Sequence, residues 1–123
     1  MLQFEKDITK YLNDIYSTTI LSDHVYSIEL PLDYDFKDKK VGIYYNYNSV
    51  NDDNYKDVVS LDINFYCLEN NKMLMLDILN IFDSNLNKKD INNYWLTHKP
   101  VYLIPIKEDN LYHYVLSYNV NKY

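Results

Sequence analysis

The stretch from Val58 to Leu86 most constrains the fold, because its hydrophobic period changes from two residues to three or four. Alternation of apolar and polar residues at 58–68 predicts a β-strand with one buried face. Helical spacing at 70–87 predicts an amphipathic helix, with Asn70 as its N-terminal cap. The strand has an apolar row of Val59, Leu61, Ile63, Phe65 and Cys67 and a polar row of Ser60, Asp62 and Asn64; the helix stripe is Leu74, Ile78, Ile81, Phe82 and Leu86.

Five further segments carry helix or strand patterns. Residues 2–16 predict a first helix, with a stripe of Phe4, Ile8, Leu12, Ile15 and Tyr16. Strands are predicted at 24–30, before Pro31, and at 41–47, where the single glycine, Gly42, indicates a bulge or a close approach to the backbone. The last two strands are predicted at 101–106 and 111–120, joined by a tight turn at 108–110.

Three segments are expected to lack regular structure. They are the charged segment 32–40, the Asn- and Asp-rich segment 48–57, and the segment 88–100, in which Trp95 is expected to anchor into the core. The order of elements predicts one α+β domain spanning 1–123. We expect a mostly antiparallel sheet of about five strands, with both helices packed on one face.

Composition narrows the classes of function. The net charge is −6 and arginine is absent, which argues against nucleic-acid binding through a basic patch. The 15 tyrosines indicate an A/T-rich genome or, alternatively, a tyrosine-based binding surface. Charged residues interrupt any apolar run near the N-terminus, and no stretch reaches the roughly 18 apolar residues of a membrane helix. We therefore expect a soluble, intracellular protein.

No pattern of catalytic, cofactor-binding or metal-binding residues is recognisable. The single cysteine, Cys67, lies on an apolar row and is expected to be a buried thiol. His24, His98 and His113 have no ligand spacing and are expected at the surface. A cation site at Asp52, Asp53 and Asp57 would lack the glycine and the distant glutamate of a calcium loop. The sequence therefore predicts neither an enzyme nor a metalloprotein.

Two groups of residues are nevertheless candidates for an interaction. Ser60, Asp62 and Asn64 form a polar strand face that either meets solvent or lines a channel or interface between copies. The loop residues Asn51, Asp52, Asp53, Asn54 and Tyr55 are a candidate assembly loop, because long loop tips are commonly ordered by partners.

The order of elements resembles that of the tail terminators and related minor capsid or tail-completion proteins of long-tailed bacteriophages. The similar parts are the helix at 4–16, "VYSIELP" at 25–31, "VVSLDINFYC" at 58–67, "MLMLDILNIFDSNLN" at 73–87 and "YHYVLSYNV" at 112–120. The similarity covers nearly the whole chain and consists of pattern and length. The near absence of glycine and alanine departs from many members of that family.

This resemblance implies a structural virion protein without catalytic residues, made in the host cytoplasm. It implies a ring, commonly of six copies, that caps the tail tube and meets the head connector proteins. DNA would pass through the ring without specific binding, and an acidic lumen would repel its phosphates.

Two other functions remain open at this point. A small acidic module that binds or inhibits a host or phage protein would need carboxylates concentrated on one surface, whereas here they alternate with lysines along the chain. An enzyme would need a cluster of reactive side chains that the sequence does not indicate.

Overall fold

The computed structural model describes residues 2–19, 21, 24–52, 55–99, 106–108 and 110–122. Their fold is α+β, with a helix before the sheet and another after its central hairpin. The helices are α1 (Leu2–Ser17), α2 (Phe36–Lys39) and α3 (Lys72–Leu86), and the strands are β1 (Tyr26–Ser27), β2 (Val41–Asp52), β3 (Tyr55–Leu68), β4 (Lys89–Ile91), β5 (Tyr94–His98), β6 (Ile106–Glu108) and β7 (Leu111–Lys122).

The strands form one sheet in the order β1-β2-β3-β7-β5-β4. Strand β6 pairs with β7 at 111–113, and β5 pairs with it at 118–122, so the two share one edge of β7. Only β1 and β2 run parallel; the other pairs are antiparallel. The sheet is therefore mixed but mostly antiparallel, and the described residues give it seven strands where about five were expected.

Helices α1 and α3 cover the same face of this sheet, as predicted. The Tyr11 hydroxyl of α1 donates to the Asn85 carbonyl oxygen of α3 at 2.9 Å. Phe82 of α3 packs edge-on against Phe65 of β3, with ring centroids 5.4 Å apart. The core thus lies between one helical layer and one sheet face.

The helical stripe predicted for α1 is confirmed. All five of its residues are buried, and Phe4, Ile8, Leu12 and Tyr16 are completely inaccessible. The other side of the helix carries exposed Lys6, Lys10 and Asp14, as a 3.6-residue period requires.

The predicted strand and helix at the centre of the chain are both present. The roles of two residues, Val59 and Asn70, differ from the prediction. A register shift between Asn48 and Ser49 pairs Asn48 with Ser60 and Ser49 with Val58. Val59 is therefore the extra residue of a bulge, and Val58 is buried. Asn70 lies in a short 3-10 helix at Glu69–Asn71, so the prediction that it caps α3 is wrong.

The buried stripe of α3 also differs in part from the prediction. Ile78, Phe82 and Leu86 are buried as expected. Met75 and Leu79 complete the stripe, whereas Leu74 and Ile81 are only partly buried. The whole helix is thus rotated slightly about its axis relative to the sequence stripe.

The strand predicted at 24–30 is wrong over most of its length. Only Tyr26 and Ser27 pair with β2, and Ile28 has a φ of 74°. A β-branched residue at positive φ ends the ladder there, because it takes the backbone out of the extended region. Ser22 and Asp23, a pair typical of a turn, lie outside the described residues.

Gly42 marks a close approach. A Cβ atom there would lie 2.7 Å from Leu30 Cδ1 and 3.1 Å from ring atoms of Tyr34 and Phe36. The side chains around the short helix α2 therefore cover this end of the second sheet face, and α2 lies within the segment expected to be a loop. The bulge of this hairpin is elsewhere, at Val59.

The loop predicted at 48–57 is also wrong. Backbone pairing continues along the hairpin to Asp52 and Tyr55, so Asn51, Asp52 and Tyr55 belong to strands. Asp53 and Asn54 lie outside the described residues. The candidate assembly loop is thus the end of a two-stranded ribbon.

The segment 88–100 was predicted to lack regular structure, and this is wrong for its described residues, 88–99. Strands β4 and β5 form a hairpin there. Asn92 and Asn93, at φ 48° and 71°, turn the chain between paired Ile91 and Tyr94. Two consecutive residues at positive φ are typical of a type I′ turn. Tyr94 and Leu96 face the core, so Trp95 between them is not the core anchor.

The final strand is confirmed. Leu116, Tyr118 and Val120 are buried, and Tyr112 and Tyr114 on the same row are partly buried. Glu108 pairs with Leu111, as expected for the tight turn at 108–110. The strand predicted at 101–106 falls largely outside the described residues, and residue 106 begins β6.

We expect Ile63→Asp to abolish folding. Ile63 is completely inaccessible, and burying an unpaired carboxylate costs several kcal/mol, comparable to the whole stability of a small domain. Circular dichroism and soluble yield measure the effect. The control is Asn119→Asp, which introduces a carboxylate at an exposed position of β7; a normal melting curve for Ile63→Asp would contradict its burial.

Candidate functional site

The predicted polar row of β3 lies on the sheet face opposite α1 and α3. Ser60 and Asn64 are nevertheless only 5% and 6% exposed, and Asp62 is partly buried. Their neighbours are the polar residues that pair with them on β2 and β7. The sequence identified the row but not its burial.

Cross-strand hydrogen bonds join this row to both neighbouring strands. Asn48 Nδ2 donates to Ser60 Oγ at 3.0 Å. Ser117 Oγ donates to Asp62 Oδ1 at 2.7 Å. These bonds fix the orientation of side chains that would otherwise rotate freely, and they compensate for the loss of water on burial.

Asn64 is the centre of a longer chain of contacts. Its Nδ2 donates to Asn46 Oδ1 at 3.2 Å, and its Oδ1 lies 2.9 Å from His113 Nε2. With the amide in this orientation, His113 Nε2 carries the proton that it donates to Asn64. The His113 ring also stacks on Tyr66 at 4.1 Å, and Tyr66 stacks on Tyr44 at 6.0 Å.

We call the eight residues of this network the polar face. It comprises Asn46, Asn48, Ser60, Asp62, Asn64, Tyr66, His113 and Ser117. Its hydrogen bonds are mainly between neutral groups, and Asp62 accepts from the Ser117 hydroxyl. Bonds of this kind between neighbouring strands hold the side chains together as a rigid wall.

The β2–β3 hairpin extends beyond this wall. Strand β7 pairs with β3 only as far as Ser60, whereas β2 and β3 continue to pair with each other up to Asp52 and Tyr55. We call residues 50–52 and 55–57, which pair with one another, the arm. The bulge at Val59 lies at its base, where bulges bend and twist a strand. Within the described residues, the arm is paired only with itself.

A cleft of about 350 Å³ runs beside the outer edge of β2. It is lined by β2, by Glu5 of α1 and by Ile28, which is 71% exposed just after β1 ends. Burial, and then the charge and hydrogen bond of Glu5, raise the pKa of Tyr47 in its wall. Tyr47 therefore ionises only at a higher pH than an exposed tyrosine does.

A second polar cluster lies where α3 meets β5 and β7. Asp83 Oδ1 accepts from the Tyr118 hydroxyl at 2.6 Å and lies 2.9 Å from His98 Nδ1. Tyr118 is completely buried, and this burial, with the hydrogen bond and charge of Asp83, raises its pKa. Sequence reasoning missed the cluster because Asp83 and His98 are 15 positions apart and on different elements.

The histidines are not all at the surface as predicted. His98 and His113 are partly buried and hydrogen-bonded, whereas His24 is exposed and packs against Tyr26. Among the residues with described positions, no three His, Cys, Asp or Glu side chains are grouped to hold a metal ion. The side chains of Asp52 and Asp57 are not among those that the structure describes. No helix in the described parts is long and apolar enough to cross a membrane.

Removing the carboxylate of Asp83 should destabilise the fold through Tyr118. In Asp83→Ala the buried hydroxyl loses its acceptor, which costs about 1–3 kcal/mol. In the matched variant Tyr118→Phe the hydroxyl is absent, so adding Asp83→Ala should cost much less. A double-mutant cycle by urea unfolding measures this difference, and additive costs would contradict the coupling.

Cys67 should resist thiol reagents in the native protein. It is buried, and desolvation raises its pKa to about 11, with the Lys72 charge opposing the shift. At pH 8 only about one thiol in a thousand would be ionised, even before access is considered. Labelling with a maleimide should be slow until urea unfolds the chain; rapid stoichiometric labelling of native protein would contradict the burial.

No protein-family model matches the chain, and no curated protein is significantly similar to it in sequence. The function is therefore inferred from the geometry of the chain itself.

Proposed function

We propose that the protein is a structural subunit of a long-tailed bacteriophage virion, forming a ring at the head-proximal end of the tail. In this role it is a tail terminator or tail-to-head joining protein. The order of sequence elements resembles that of such proteins, and the α+β fold with an N-terminal helix is compatible with it. The observation that carries the proposal is the arm.

The arm needs a partner for physical reasons. A two-stranded ribbon in water is marginally stable, since it buries little apolar surface. Open strand edges also promote uncontrolled pairing, which natural proteins prevent by covering them. A ring of identical copies would cover the edges of every arm in the same way.

The polar face suits a surface along which DNA moves. Several of its donors are bonded to neighbouring side chains of the same face. Without arginine and with a net charge of −6, the chain would repel a phosphate backbone. DNA would pass through the ring unbound, while the tail tube protein and head connector proteins would contact its two rims. The protein would then be located in the virion.

Replacing most of the arm should separate assembly from folding. In this variant Asn-Gly replaces residues 51–56, so that Val50 and Asp57 remain paired through a two-residue type I′ turn. Because buried Val58 is retained, the melting temperature of the monomer should change by less than about 4 °C. We expect the ring to be lost.

Light scattering coupled to size exclusion, over a concentration series, measures the mass of both proteins. The wild-type chain should give a discrete species of about six copies, seen as an annulus by negative stain. The control is Asn93→Gly, which alters a different hairpin turn and should leave the ring intact. A wild-type chain that is strictly monomeric at every concentration would contradict the ring.

An acidic binding or inhibitor module is the alternative, and one observation favours it. Asp7, Asp14 and Asp90 line one cleft of about 320 Å³ beside α1. Lys10 lines the same cleft, and Asn92 donates to Asp7 at 2.6 Å, so the carboxylates are partly neutralised and engaged. A monomer that captures a protein through a salt-sensitive contact would support this function instead.

A further inference from the structure

Strand β2 has an outer edge that its short neighbour covers only in part. Strand β1 pairs with β2 at Tyr44 and Tyr45, and this pairing ends at Ser27. The next residue, Ile28, has a φ of 74°, which takes the backbone out of the extended region. The edge at 46–49 therefore lacks a strand partner on this side in the part of the chain that the structure describes.

The backbone of this edge directs hydrogen-bonding groups outward at every second residue. The Tyr45 carbonyl oxygen accepts from the Ile28 N–H at 2.8 Å, so it faces away from β3. Alternate residues of a strand direct their backbone groups to the same side. Tyr47 and Ser49 therefore present N–H and C=O groups on the side where β1 has ended. Another extended chain matches donors and acceptors at this spacing, as in the addition of a strand to a sheet.

The cleft of about 350 Å³ beside β2 lies along this edge. Tyr47 and Ser49 line it from the strand, and Glu5 lines it from α1. Ile28 lines it where β1 ends, and this large apolar side chain is 71% exposed. The cleft thus combines a backbone edge, an apolar side chain and a carboxylate.

Glu5 gives the cleft a negative charge that the other described lining residues do not balance. Those residues are all neutral: Ser27, Ile28, Tyr45, Asn46, Tyr47 and Ser49. In the cleft beside α1 that contains Asp7 and Asp90, by contrast, Lys10 supplies a cation. A segment that enters the β2 cleft with a lysine or an arginine would therefore complement its charge.

We infer that the outer edge of β2 binds an extended segment of another protein, with a basic side chain of that segment placed against Glu5. The segment would continue the sheet beside Tyr47 and Ser49, and Ile28 would pack against its apolar side chains. A second copy of this chain is a poorer occupant, because a β2–β2 contact would bring together two Glu5 carboxylates and two net charges of −6. Such a site goes beyond the ring proposed above and does not depend on it.

Two matched peptides test the charge of the occupant. Each has about eight residues, alternates threonine with valine, and is N-methylated at every second amide so that the peptides do not pair with one another. One peptide has a central lysine and the other a central glutamate. By fluorescence anisotropy we expect the lysine peptide to bind at least about fivefold more tightly, since only its charge is opposite to that of Glu5. With Glu5→Gln the two peptides should bind equally.

A proline variant tests whether the backbone edge is what binds. Ser49→Pro removes an N–H that faces away from β3, so the pairing of β2 with β3 is retained. The matched control Ser49→Thr keeps this N–H, and circular dichroism checks that both variants fold. We expect the affinity for the lysine peptide to fall at least about fivefold with proline and to persist with threonine. A fully N-methylated lysine peptide makes the same test on the wild-type chain and should not bind.

The outcomes separate this site from the ring. A preference for lysine that disappears with Glu5→Gln, together with sensitivity to Ser49→Pro and to full N-methylation, supports the inference. No binding of the lysine peptide, equal binding of both peptides, or binding that full N-methylation leaves unchanged overturns it. An oligomer that Ser49→Pro disrupts, in a chain that binds neither peptide, also overturns it and assigns the edge to a second copy. A strictly monomeric chain that binds the lysine peptide overturns the ring and leaves the site standing.

Discussion

Leu61, Ile63 and Phe65 on β3 are completely buried, and their strand is hydrogen-bonded on both sides, to β2 and to β7. Each such side chain contributes about 1.5–3 kcal/mol by leaving water. Helix α3 packs on this row through Phe82, and α1 contacts α3 through Tyr11, so the position of the helical layer depends on the row. Strand β1 pairs with β2, strands β5 and β6 pair with β7, and β4 pairs with β5. Each of these described strands therefore connects to β3 through β2 or β7.

The polar groups follow from the same ladder. Since β3 is central, the face opposite its core row is enclosed by side chains of β2 and β7, and Ser60 and Asn64 become buried despite facing away from the helices. A buried amide or hydroxyl is costly unless hydrogen-bonded, and the cross-strand partners Asn46, Asn48 and His113 supply those bonds. Asp83 fulfils the same need for Tyr118 at the edge of the core.

The sequence predicts what local periodicity determines and misses what depends on backbone angles or distant partners. The stripe of α1 and the rows of β3 and β7 are recognisable because their periods of 3.6 and two persist over many residues. The prediction of a strand over 24–30 is wrong because Ile28 adopts a positive φ, which ends the pairing. The type I′ turn at 92–93 could have been predicted, because two asparagines between apolar residues are typical of that turn.

The arm shows the limit most clearly. Its Asn- and Asp-rich composition suggested a loop, but strand pairing uses backbone groups that nearly every residue carries, so polar side chains do not prevent a ladder. The pairing of the strands has a further consequence. Because the arm extends beyond the pairing of β3 with β7, we expect that it can be altered without unfolding the domain, whereas β3 within the core cannot. Fold and assembly would then depend on different parts of one hairpin, with the bulge at Val59 as the boundary between them.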